Sequence, residues 1–144
     1  MIFAPARILA AFVALGALAD GPSWTGTIAA LADGTSEYSV GGTASMTAGG
    51  PRNAIVSISV AHGVPGQEYA WSLYRGACGD DTRAVAPTGS YSTLVGIEGG
   101  DASAIAEFNF AVPTSGAFHV SVATTGQNAG LVVGCANLEL VQGK

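Results

Sequence analysis

From Trp24 onward, apolar residues recur at every second position in short runs, and the runs are separated by glycine, proline and aspartate. A period of two places alternate side chains on opposite faces of an extended chain, so such a sequence is built for half-buried strands. The runs cover residues 24–31, 38–47, 54–61, 68–75, 102–112, 117–124 and 131–141, with 91–97 as a shorter strand or an extended connection. Between them lie turn signals such as Asp33-Gly34, Gly49-Gly50-Pro51 and Val64-Pro65-Gly66. The pair Gly41-Gly42 inside a run marks a bulge or a close approach of two backbones. No window of the chain after Asp20 carries a 3.6-residue period, which argues against helices. Seven or eight antiparallel strands at this spacing predict an all-β Greek-key sandwich or flattened barrel. The pattern lapses between Gly76 and Gly89, where Cys78, Asp80, Asp81, Arg83 and Pro87 make a long loop.

The first nineteen residues obey a different rule. Arg7 precedes an apolar run from Ile8 to Leu18, and Ala17-Leu18-Ala19 gives the small-x-small pattern read by signal peptidases. Residues 1–19 are therefore expected to be an export signal and 20–144 the folded domain, in the periplasm or outside the cell. The run is short of the roughly twenty apolar residues of a membrane span, so no span is expected in the mature chain. A buried N-terminal helix is the competing reading. The formal net charge is −5 with only 10% charged residues. Arg52, Arg75, Arg83 and Lys144 are scattered, leaving no basic stripe for a nucleic acid.

Export bears on the two cysteines. An isolated pair in an oxidising compartment is expected to form a disulfide, here Cys78–Cys135, with two buried thiols as the alternative. The remaining chemistry is thin. His62 ends a strand before Gly63 and reads as a surface residue. His119 lies in the run Phe118-His119-Val120-Ser121-Val122, where alternation points His119 and Ser121 away from the core and predicts a half-exposed imidazole. Adjacent Asp80 and Asp81 could offer oxygens to a hard cation, although two loop carboxylates read first as solvated. Trp24, Tyr69, Trp71 and Phe110 fall on alternating positions and read as core. No serine sits in a Gly-x-Ser-x-Gly elbow, and no glycine cluster opens a helix to cradle phosphate.

The segment Gly66-Gln67-Glu68-Tyr69-Ala70-Trp71-Ser72-Leu73-Tyr74-Arg75-Gly76-Ala77-Cys78-Gly79 resembles the copper-site strand and following loop of Cu/Zn superoxide dismutases. It is similar in style to divergent exported bacterial members. The stretches 115–123 and 131–138, the second carrying Cys135, and Gly42 to Met46 extend the resemblance over about residues 24–140. The resemblance implies an eight-strand Greek-key sandwich and supports the Cys78–Cys135 bridge. It also implies where metal ligands would stand. Two histidine positions fall on Ser72 and Tyr74, a third on Ala123, and an anion-guiding arginine on Val132. A hydroxyl, a phenol and a methyl group cannot replace imidazole nitrogens on copper.

The expectation is thus a superoxide dismutase-like module without a complete metal site, holding no cofactor and serving for binding or structure rather than catalysis. Its partner is not named by the sequence; a protein or a surface glycan suits such a module. Two alternatives stay open. An active copper and zinc enzyme would need His62, His119 and acidic groups to converge on one metal. A carbohydrate-binding or adhesion sandwich would need Tyr74 and Tyr91 to share an exposed patch.

Overall fold

The computed structural model describes residues 21–30, 40–87, 90–95, 100–125 and 130–141. Residues 1–20, with the expected export signal, lie outside this range, as does the Asp33-Gly34 turn. Among the described residues eight strands form: β1 (Ser23–Ala30), β2 (Gly41–Gly50), β3 (Asn53–Ala61), β4 (Glu68–Arg75), β5 (Leu94–Val95), β6 (Ala102–Phe108), β7 (Phe118–Thr124) and β8 (Val132–Val141). The run expected over 102–112 stops at Phe108; beyond it the chain leaves the sheet and carries Val112 and Pro113 towards Trp24.

The strands pair antiparallel in the order β5-β4-β7-β8-β1-β2-β3-β6. Neighbours in sequence are not always neighbours in space. β6 returns beside β3, β7 beside β4, and β8 beside β1, which is the Greek-key course expected. β8 turns the corner: it pairs with β7 from Val132 to Leu138 and with β1 from Gly134 to Val141. The sheet therefore curls on itself and encloses one core.

Alternation sorts the side chains as the sequence predicts. Trp24, Ile28, Met46, Val56, Ile58, Val60, Tyr69, Trp71, Leu73, Val120, Val122 and Val133 are buried inside the curl. The two ends of the sheet are joined by rings rather than by a ladder. Trp71 of β4 meets Tyr91 edge-on at 5.0 Å between centroids, and Tyr91 meets Phe108 of β6 at 5.5 Å. The buried polar tips find partners: the Trp71 indole N–H donates to the Ser92 carbonyl at 2.6 Å and that of Trp24 to Pro113 at 2.8 Å. Gly42 is the close approach foreseen, with φ of 129° and no room for a Cβ against the Ser59 carbonyl. The irregularity of pairing lies further along, between Ala48 and Gly50.

Candidate functional site

The outward face of β4, β7 and β8 carries three cross-strand rows. Tyr74 pairs with His119 and then Asn137, Ser72 with Ser121 and then Cys135, and Ala70 with Ala123 and then Val132. Ordinary strand alternation produces this face, because Trp71, Leu73, Val120 and Val122 point the other way into the core.

A loop folds over it. Gly76, at a φ of 97° that suits glycine, bends the chain out of β4. The segment 76–84 then crosses the face as a strap before Val85 returns, its N–H donating to the Leu73 carbonyl at 2.9 Å. Three anchors hold the strap. Cys78 is bonded to Cys135, with Cα atoms 6.0 Å apart. The Cys78 N–H donates to Asn137 Oδ1 at 2.8 Å. The third anchor is His119, whose Nδ1 lies 2.8 Å from the Gly76 carbonyl and whose Nε2 lies 2.5 Å from Asp81 Oδ1. A carbonyl can only accept, so Nδ1 carries a hydrogen and donates it. The Ser121 hydroxyl donates to the same Asp81 oxygen at 3.0 Å. Tyr74 lies flat against the imidazole, 5.2 Å between ring centres and 13° from parallel.

His119 is therefore buried outright, at 0% exposure, where a half-exposed residue was expected. Alternation states which face of a sheet a residue occupies; it is silent on what a distant loop lays over that face. The solvated reading of the acidic pair needs the same correction. Asp81 turns inward to His119 and Ser121, while Asp80 stays outward with Arg83 at 3.6 Å. A hydrogen bond from the Thr82 hydroxyl, with Arg83 close by, holds the Asp80 carboxyl below its ordinary value. His62 is exposed at the end of β3 as foreseen, in a left-handed conformation with φ of 63°.

Beside the strap the face opens into a depression of about 390 Å³. Ser72, Tyr74, Ala123 and Val132 all line it, together with Asp81 and Ser121. Four positions spread over sixty residues of sequence thus meet at one place. A donor set of hydroxyl, phenol, methyl and isopropyl does not fit copper, and His119 is already spent on the strap at both nitrogens. Among the described residues no group of three or more His, Cys, Asp or Glu side chains gathers to hold a metal ion. Tyr91, the other half of the expected sugar platform, is buried between Trp71 and Phe108, and its hydroxyl donates to the Leu73 carbonyl at 3.3 Å. Tyr74 and Tyr91 therefore share no exposed patch.

Among the described residues no helix is long and apolar enough to cross a membrane. No model of a known protein family matches the chain, and no curated protein sequence matches it.

Proposed function

We propose that the chain is an exported, non-catalytic binding module built on a Cu/Zn superoxide dismutase-like frame whose metal ligands have been replaced. One observation carries this reading: Ser72, Tyr74, Ala123 and Val132, the positions at which the resemblance calls for ligands and a guiding arginine, line a single depression. The Greek-key course and the Cys78–Cys135 bridge support the frame. A frame alone does not set an activity, so the reading rests on the chemistry of those four side chains. None supplies an imidazole nitrogen, and no redox couple follows from hydroxyl and alkyl groups.

The test is metal content and turnover together. Protein produced in copper- and zinc-supplemented medium is expected to carry well under one transition-metal ion per chain by mass spectrometry. It is also expected to leave superoxide decay at the rate of a heat-treated control. One tightly held copper per chain with superoxide turnover would overturn the proposal. Export is tested separately by the intact mass of the protein recovered from the periplasm or medium, expected to begin at Asp20.

A further inference from the structure

The depression holds polar groups that the fold leaves unused. Ser72 is only 7% exposed, yet its hydroxyl makes no hydrogen bond to any described residue. It is not sealed in protein either, because every fully enclosed side-chain polar atom among the described residues has a partner. The Ser72 hydroxyl therefore opens onto the depression that it lines. A hydroxyl that opens onto such a depression is left to water, and a ligand group that hydrogen-bonds to it takes that water's place.

Two further acceptors stand beside it. Asp81 spends Oδ1 on both His119 and Ser121, while Oδ2 takes no hydrogen bond from a described residue and the side chain stays 27% exposed. Ser121 has given its proton to Asp81, so its oxygen keeps a lone pair. Ser72 faces Ser121 directly across the β4–β7 ladder, and Ser121 holds Asp81, so the three side chains are neighbours in one lining. Ala123 and Val132, in the next row of the same face, supply apolar lining, and Tyr74 stands in the row on the other side. No lysine or arginine lines the depression, and the chain as a whole carries −5. The Asp81 carboxylate is the charged group that lines the depression, and the His119 imidazole paired with it is not among the lining residues, so anions are disfavoured there.

We propose that this depression binds a small primary ammonium ion carrying a short alkyl chain. An ammonium group brings three donors and no acceptor, which matches Asp81 Oδ2, Ser72 Oγ and Ser121 Oγ. The alkyl chain lies on Ala123 and Val132 beside the Tyr74 ring. A space of about 390 Å³ admits such a molecule with a few waters. The inference rests on the reading that the depression holds no copper.

The experiment is an NMR titration of the oxidised full chain with n-butylammonium chloride at neutral pH and low salt. Saturable shifts are expected at the amides of Ser72, Ala123 and Val132. n-Butanol, alike in size but with one donor and no charge, is expected to bind at least tenfold more weakly. Asp81→Asn keeps an acceptor for His119 and is expected to weaken the amine at least tenfold; Ser72→Ala is expected to weaken it several-fold. Ala123→Lys places a fixed cation in the depression away from the strap and is expected to abolish binding, which covers the case of a misfolded Asp81→Asn. Absence of saturable shifts, equal binding of butanol, or undiminished binding by a folded Asp81→Asn or Ala123→Lys each overturns the proposal. Copper(II) is titrated in parallel. Stoichiometric copper uptake sinks the underlying reading, whereas an amine failure without copper uptake sinks this inference alone.

Discussion

Tyr91 shows what a single side chain contributes outside any regular strand. It precedes β5 in an irregular stretch, yet its ring joins Trp71 to Phe108 and so ties the two ends of the curled sheet. Burial raises its phenol above the ordinary value of 10.0, because an ionised phenolate would lose its hydration there. The sign of the pH effect follows. The folded state holds the phenolic proton more tightly than the unfolded chain, so this contribution is intact below about pH 10 and is lost as pH rises. Tyr91→Phe removes the titrating group at the cost of the hydroxyl's interactions with the Leu73 and Ala86 backbone. Its alkaline unfolding midpoint, followed by circular dichroism between about pH 9 and 12, is expected to lie above that of the native chain. A lower midpoint would mean that the hydroxyl's bond to Leu73 outweighs its desolvation. Trp24, Tyr69 and Trp71 were legible, in phase with period-two runs, and all three are buried; Phe110, read as core with them, lies beyond the end of β6 and is only half-buried, stacked on Phe108. Tyr91 was not legible, because no local period surrounds it and its partners lie on β4 and β6.

The strap is the element at which reading by sequence stopped. Strand limits came within a residue or two for β1, β3, β4, β7 and β8, since alternation and turn residues act locally. Segment 76–84 has turn residues but no alternation, and its place is set by contacts with Cys135, Asn137 and His119, all far along the chain. The depression beside it was legible only through the family resemblance, which named Ser72, Tyr74, Ala123 and Val132 without showing the His119–Asp81 clasp. That clasp can be tested apart from the disulfide. His119→Phe keeps the flat ring against Tyr74 but removes both hydrogen bonds, leaving the Gly76 carbonyl and the Asp81 carboxylate without this donor. A loss of about 2–4 kcal/mol in urea unfolding is expected, given the penalty for stranding partly buried acceptors. Amide exchange should rise at Gly76, Cys78 and Val85, whose N–H groups bond to Ala117, Asn137 and Leu73, and stay unchanged along β2 and β3. Faster exchange spread evenly over all strands would instead make His119 a general core residue.

At the scale of the molecule, pairing between distant segments governs how the sheet assembles. β1 and β8, its first and last strands, lie side by side, with Ser23 meeting Val141 across 118 positions. A sheet made mostly of such long-range pairs folds slowly, in milliseconds to seconds, because loop closure precedes the contacts that repay it. The disulfide spans 57 positions and fixes the strap to β8. With the bond intact in the unfolded chain, the encounter of β4 and β7 with β8 is already part-closed; on the chain-entropy account the bond is worth about 4 kcal/mol. If β7–β8 pairing forms in the transition state, that saving appears in the refolding rate. Stopped-flow fluorescence of Trp24 and Trp71, both buried in the native core, reads the process directly. The oxidised chain is expected to refold at least tenfold faster than the reduced one, with unfolding rates within about threefold of each other. Equal refolding rates with faster unfolding of the reduced chain would place the β8 corner late, after the remaining strands have paired.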